Sequence, residues 1–358
     1  MTERLDAKRR PDLLRAAQLL RGGGTVAFPT ETVYGLGANA FDPGAVARVF
    51  ASKGRPTFDP LIVHIADRAD LPRLLSAAAL ADPRVALLAD ACWPGPLTIV
   101  AEAAEGVPGL VRSGLPTVAV RLPRLGIARD LIRQAGVPIA APSANRFGRL
   151  SPTRAEHVLE QLDGRIDAIL AGNASEVGVE STVVALVRGE TARLLRPGGV
   201  PLERLEELLA PHGGIEVAGS VLDERTALPG PGMTAAHYAP RAAVRLATPE
   251  DLAATCAAPP RLARIALLAP DAVTLARLQS AAAAANLQPV AALALSQAHD
   301  ERVAAGTLFD ALHRLDAALG GDPSAAIVAA PYPAIGLGRA IADRLQRAAA
   351  AGTDRREE

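Results

Sequence analysis

Lysine is nearly missing from this chain: among 358 residues and 38 basic side chains, only Lys8 and Lys53 are lysines. Cysteine is as scarce. Cys92 and Cys256 are far apart and form no C-x-x-C pair, which argues against a zinc site or a disulfide framework and points to a reducing, cytoplasmic compartment. The formal net charge is zero, so there is no global basic field to hold nucleic acid by phosphate neutralisation. No continuous apolar run reaches the ~18 residues of a membrane helix, and the start, MTERLDAKRRP, lacks the apolar centre of a signal peptide; the expectation is a soluble protein with no membrane partner. There is no Walker P-loop and no H-E-x-x-H. Ser143 stands in P-S-A-N rather than in a G-x-S-x-G elbow, which weighs against a serine hydrolase.

The length suggests two domains, and 49% apolar residues supply proper cores. Seven of the ten aromatic residues precede position 150, while the last hundred residues are dominated by Ala and Leu. An amphipathic helix near 11–21 runs into Gly22-Gly23-Gly24 and an apolar strand at 25–28. Further strands are expected at 61–65, 97–101, 117–122, 138–141, 166–170, 181–187 and 193–196, with helices between several of them. The charged N-terminus reads as loose. After a helix near 201–210, a Pro- and Gly-rich stretch ending in His237-Tyr238-Ala239-Pro240 reads as a linker. From 242 on, strands at 242–247, 264–269, 289–295 and 325–330 alternate with helices, which favours a small parallel sheet covered on both faces. The expected class is α/β: a twisted mixed-sheet domain over 8–200, a linker or lid over 201–240, and a smaller Rossmann-like domain over 241–350. Gly336-Leu337-Gly338 resembles half of a dinucleotide fingerprint, but it lacks the third glycine and lies at the wrong end of its domain.

Chemistry concentrates where polar residues crowd strand ends and turns: Pro29–Gly37, Lys53–His64, Thr117–Arg121, and Ala141–Asn145 with Ser151-Pro152-Thr153. Lys53 stands out because a chain that writes arginine almost everywhere has kept a compact point charge there. His64 and Arg121 are polar groups near the ends of apolar strands, each open to a plain core role. An arginine at a half-buried strand end nevertheless needs an anionic partner, and none is obvious nearby in sequence. Lys53, Arg55, Arg121 and Arg196, with the hydroxyls of Thr32, Ser143 and Ser181 and no nucleophile–base set, suggest phosphate handling by positioning and charge neutralisation.

The motifs PTETVYGLG, KGRPxxxPLIVH, WPGPLT, APSAN with SPT, GVESTVV, LRPGG and HYAP together resemble the YrdC-like family in its long two-domain form, the L-threonylcarbamoyl-AMP synthases. The resemblance implies synthesis of threonylcarbamoyl-AMP and pyrophosphate from L-threonine, bicarbonate and ATP with Mg2+. It also implies a downstream tRNA threonylcarbamoyl transferase as partner, for modification of the adenosine beside the anticodon, and leaves room for a weak tRNA contact. It implies that Thr32, His64, Arg121 and Ser181 hold threonine or its carbamate, with Ala141 lining that pocket through its backbone. Arg55, Asp59, Thr117, Ser143, Ser151, Arg196 and Tyr238 fall to ATP, with Lys53 and Arg55 as catalytic cations. At Asp59 the family often carries Asn; a carboxylate beside a triphosphate is repulsive unless a metal or a ribose hydroxyl meets it. Two other readings stay open. A carbamoyltransferase of the hydrogenase-maturation type shares the YrdC-like domain but carries zinc fingers, which two isolated cysteines cannot build. A non-catalytic RNA-binding module is opposed by the zero net charge.

Overall fold

The computed structural model describes residues 1–218, 228–233 and 237–354. The chain divides into two compact units, Met1–Phe147 with Ser151–Thr234, and Gly148–Leu150 with Ala235–Glu358.

Among its described residues the first unit holds eleven strands: β1 Glu3–Asp6, β2 Val26–Phe28, β3 Gly35–Asn39, β4 Ile62–His64, β5 Leu97–Glu102, β6 Thr117–Arg121, β7 Ile139–Ala140, β8 Ala168–Ala171, β9 Thr182–Ala185, β10 Ala192–Arg196 and β11 Ile215–Val217. They form one mixed sheet in the order β1-β8-β2-β3-β7-β4-β6-β5-β9-β10-β11. Side chains alternate faces along each strand, and the packing follows that alternation. Ala27, Val63, Val118, Val120, Val184 and Leu194 face one large apolar cluster with the helices Pro43–Lys53 and Pro83–Cys92. On the other face, Val26, Phe28, Ala168 and Leu170 pack under the helices Arg10–Arg21 and Gly126–Ala135. Beyond those helices the same face carries Ile62, Val100, Ala119, Val183 and Leu195, which are covered by Leu228 and Met233.

Three strands were not expected. The N-terminal segment is not loose: β1 pairs in parallel with β8, Glu3 opposite Ala168. β3 runs antiparallel to both β2 and β7; its Gly-Leu-Gly sequence carries little strand propensity, yet a Cβ on Gly37 would sit 2.8 Å from both Ile139 and the Phe28 ring, so only glycine admits that packing. β11 is a short edge beside β10. The helix Leu202–Leu209, placed in the linker by sequence, buries Leu202, Leu205 and Leu209 in the first unit's main cluster.

The second unit holds β12 Ala243–Leu246, β13 Arg264–Ala269, β14 Ala291–Ala294 and β15 Ala325–Ala329, all parallel, in the order β12-β15-β13-β14. Glu301 accepts the Leu337 N–H at 2.9 Å, so the place where a dinucleotide phosphate would meet the Gly336-Leu337-Gly338 turn is taken by the chain's own carboxylate. No helix among the described residues is long and apolar enough to cross a membrane.

Candidate active site

The period-2 geometry of Thr117-Val118-Ala119-Val120-Arg121 decides where the chemistry lies. Val118 and Val120 enter the main core, so Thr117, Ala119 and Arg121 project to the opposite face. His64 is opposite Arg121 in the parallel β4–β6 register and shares the face of Ile62. Thr98 and Ser181, each two residues before a residue of that face's cluster, follow the same alternation. A register shift between Leu194 and Arg196 sets Arg196 opposite Val183 and brings it to this face too. Gly198 of the LRPGG motif lies so close to the backbone of Glu180 and Ser181 that a Cβ there would be 2.3 Å from the Glu180 carbonyl oxygen. That approach ties the Arg196 turn to Ser181.

One group is a buried network around Arg121. Its Nη2 donates to Glu31 Oε1 at 2.6 Å, its Nη1 to Thr32 Oγ1 at 2.8 Å and its Nε to the Gly95 carbonyl at 3.3 Å. Thr32 Oγ1 also lies 2.8 Å from Thr30 Oγ1. Glu31 is the anionic partner that the sequence did not reveal: it is ninety positions away from Arg121. Burial pushes the Glu31 carboxyl up, but the Arg121 charge and hydrogen bonds from Arg121 and backbone N–H groups outweigh it and hold the group below its ordinary range. His64 is driven down to about 3, first by burial and then by the Arg121 charge. Its ring meets Phe28 edge-on at 6.3 Å and 87°, and its Nδ1 has no hydrogen-bond partner.

A second group gathers cations around Asp59. Lys53 is the last residue of the helix Pro43–Lys53, which Gly54 ends in the left-handed conformation at φ 62°. That turn sends the ammonium to the carbonyls of Ser143 and Asn145, at 2.6 and 2.5 Å. Burial, and secondarily the charge of Arg55, lowers the Lys53 pKa well below its ordinary value. Arg55 pairs with Asp59 at 2.7 Å, both side chains being almost wholly buried, and donates to the Asp59 and Pro60 carbonyls. Asp59 Oδ1 also accepts the Gly232 N–H at 3.2 Å, whereas Oδ2 is buried without a partner. Burial raises the Asp59 pKa against the charges of Arg55, Lys53 and Arg196, which all act on this carboxyl. Arg196 donates to the Ser181 carbonyl at 2.9 Å, to Ser181 Oγ at 3.2 Å and to the Pro231 carbonyl at 3.4 Å, and Ser181 Oγ lies 2.7 Å from Thr98 Oγ1. Ser181 thus touches Arg196 directly and, through Thr98 on β5, reaches the strand next to β6 and Arg121.

The remaining candidates are less concentrated. Ser151 donates to Glu180, and half-buried Ser143 bridges to Gly35 through its backbone. The Ala141 N–H donates to Ile62, and its methyl lies where a side chain on Gly35 would have to go. Thr117 is at the far end of β6 from Arg121, about 13 Å along the strand at ~3.3 Å per residue. Tyr238, at φ 62°, is buried in the second unit's own packing, with Phe309 at 5.8 Å and the Arg344 guanidinium at 4.8 Å from its ring. Glu31, Thr30, Thr98, Glu180 and the Asn145 carbonyl were not among the sequence candidates. All five lie inside motifs quoted above, but as partners rather than as distinctive residue types.

Residues 18–198 match the protein family described as "Telomere recombination" and residues 200–350 the one described as "Threonylcarbamoyl-AMP synthase, C-terminal domain". The threonylcarbamoyl-AMP synthase of Bacillus subtilis is 40% identical over 346 residues, 95% of this chain and 93% of its own. The chain belongs to the threonylcarbamoyl-AMP synthase family. The Pyrococcus abyssi member is 48% identical over 230 residues, 64% of this chain and 66% of its own. A crystal structure of the P. abyssi protein Sua5, complexed with L-threonine, superposes on this synthase-family chain with TM-score 0.81 at 35% identity, covering 98% of each.

Proposed function

We propose that the chain makes L-threonylcarbamoyl-AMP and pyrophosphate from L-threonine, bicarbonate and ATP, for transfer to tRNA next to the anticodon by a downstream threonylcarbamoyl transferase. The observation that carries this reading is a pair of buried polar groups, Arg121 bonded to Thr32 beside a neutral His64, and Lys53, Arg55 and Arg196, whose charges all act on Asp59. A small amino acid suits the first group and a triphosphate the second. The P. abyssi complex with L-threonine supports assigning threonine to this fold.

In this reading the Arg121 guanidinium meets the threonine carboxylate, while Thr32 and Ser181 offer hydroxyls to the side chain. A His64 held near pKa 3 is an ineffective base at neutral pH, so it serves as a neutral hydrogen-bonding group and the amine proton leaves to solvent. The free amine attacks the carbon of bicarbonate or CO2, forming the C–N bond, with loss of water in the bicarbonate case. A carbamate oxygen then attacks the α-phosphorus, and the bond to pyrophosphate breaks. Lys53, Arg55 and Arg196 neutralise the charge that builds on the leaving phosphates. Mg2+ enters with ATP as part of the substrate, with phosphate oxygens and water as most of its ligands; Asp59 Oδ1 is already committed to Arg55 and Gly232. Tyr238, which the resemblance assigns to the nucleotide, has its ring buried against Phe309 and the Arg344 guanidinium in the second unit, and no step runs through it.

The test is mass spectrometry of the products, with pyrophosphate release measured as each substrate is withheld. The expected result is threonylcarbamoyl-AMP, and pyrophosphate only when threonine, bicarbonate, ATP and Mg2+ are all present. Formation of ADP and phosphate, or indifference to threonine, rules the reading out.

A further inference from the structure

Asp59 is a carboxylate set among cationic side chains. It is wholly buried, it is paired with Arg55 at 2.7 Å, and the charges of Lys53 and Arg196 act on it as well. Burying cations without counter-charge costs a fold several kcal/mol, and Asp59 supplies a negative charge that Arg55 pairs directly and that Lys53 and Arg196 feel. The same carboxylate holds down a distant piece of chain. Its Oδ1 accepts the Gly232 N–H, the Pro231 carbonyl accepts from Arg196, and the Leu228 N–H donates to Phe58, the residue next to Asp59. Leu228 and Met233 then bury their side chains on the sheet face that carries the site. The segment 228–233 is therefore fastened at Gly232 through the Arg55–Asp59 pair and at Pro231 through Arg196, the groups a triphosphate would recruit.

We infer that Asp59 is an internal anion that sets the affinity for the nucleotide's phosphates by competing with them for Arg55 and Arg196, so that nucleotide loading and fastening of the 228–233 segment oppose each other. This inference rests on the nucleotide reading above and adds to it the residue that tunes binding and the chain segment that responds. When phosphates draw the two guanidinium groups, Asp59 is left beside like charge, its pair with Arg55 weakens, and the Gly232 and Pro231 fastenings loosen together. By linkage the effect is reciprocal: whatever weakens the carboxylate's hold on the cations strengthens the nucleotide's. Asp59→Asn keeps the side-chain volume and an acceptor for Gly232 but removes the competing charge.

The experiment pairs ATP titration with hydrogen exchange of the backbone amides from Leu228 to Met233, in the intact chain and in Asp59→Asn. Removing one charge at this distance is expected to tighten ATP binding about tenfold at an intermediate effective dielectric. ATP should speed exchange across 228–233 in the unaltered chain and do so much less in Asp59→Asn. Unchanged or weaker ATP binding in Asp59→Asn would overturn the inference, because Asp59 would then be a plain structural group or a ligand of the nucleotide's metal. So would slower exchange across 228–233 on adding ATP, since nucleotide and segment would then cooperate. The same exchange measured with inorganic pyrophosphate judges the competition through the cations alone. If the unaltered chain binds pyrophosphate but not ATP, the nucleotide reading fails while the pyrophosphate result still decides this inference, and if pyrophosphate leaves the segment unaffected the inference fails.

Discussion

The Lys53 ammonium and the Ser143 carbonyl are joined by a 2.6 Å hydrogen bond, and Asn145 shares the same ammonium, while the Lys53 carbonyl accepts the Phe147 N–H at 2.9 Å. Lysine thus grips the APSAN loop from two directions. Its position is compatible with a charge aimed at phosphates, because an ammonium has three donors and two are accounted for.

Lys53→Ala should lower turnover by ~10²–10³-fold, the usual cost of one preorganised electrostatic group, and should also lower the melting temperature as the 143–147 loop loses its brace. Lys53→Arg should be impaired as well, since a planar fork cannot reproduce a point donor between two carbonyls. Steady-state kinetics and calorimetry on both variants check this; wild-type turnover in the arginine variant would mean that only charge matters.

Substrate selection should follow the hydroxyl. Thr32 and Ser181 present hydroxyls that are themselves held by Arg121, Thr98 and Arg196, and a site built to pair a substrate hydroxyl rejects its absence far more strongly than a missing methyl. Valine should be a much worse substrate than serine when each replaces threonine in the pyrophosphate assay. Equal use of valine and threonine would show that these residues do not read the side chain.

Glu31→Gln should destabilise the protein severely. It leaves the buried Arg121 guanidinium without its counter-charge, a loss worth roughly 3–5 kcal/mol for buried pairs, and urea unfolding should show it. A change within experimental error would mean that the Gly95 and Thr32 contacts suffice to hold Arg121.

His64 sets a pH dependence. Its folded pKa, about 3, lies below the ordinary 6.5, so between these values the unfolded chain binds more protons than the folded one and stability falls as pH drops. The loss should begin near pH 6.5 and grow toward pH 3, and His64→Asn should flatten that part of the melting-temperature profile. A parallel profile in the variant would assign the acid loss to other groups.

The linker gives a fifth test. Ending the chain after residue 218 spares the helix Leu202–Leu209 and β11, so the first unit should stay folded, while the Leu228 to Met233 cover is removed and most synthesis is lost. Pyrophosphate release and thermal melting of the shortened chain check this. Undiminished threonylcarbamoyl-AMP synthesis by the shortened chain would show that the cover takes no part in the mechanism.

Local sequence was enough to locate most strands and helices, because burial on one or both faces of a sheet imposes a period that can be counted, as in Thr117–Arg121. It also picked out Thr32, Lys53, Arg55, His64, Arg121, Ser181 and Arg196 as unusual, since each is a polar residue in an otherwise apolar or glycine-rich turn or strand end. It could not supply β3, whose glycines are explained only by the Phe28 ring and Ile139 beside them. Nor could it supply the partners. Arg121 meets Glu31, Ser181 meets Thr98, and Asp59 meets Gly232 across separations of 90, 83 and 173 positions, and no periodicity links residues so far apart. Residue type and spacing determine which groups are available and which face of an element they occupy. Which of them touch, and therefore which charges are compensated and which way each pKa moves, depends on strand order and loop closure, because electrostatic and hydrogen-bond energies fall off over a few ångströms that only the folded chain defines.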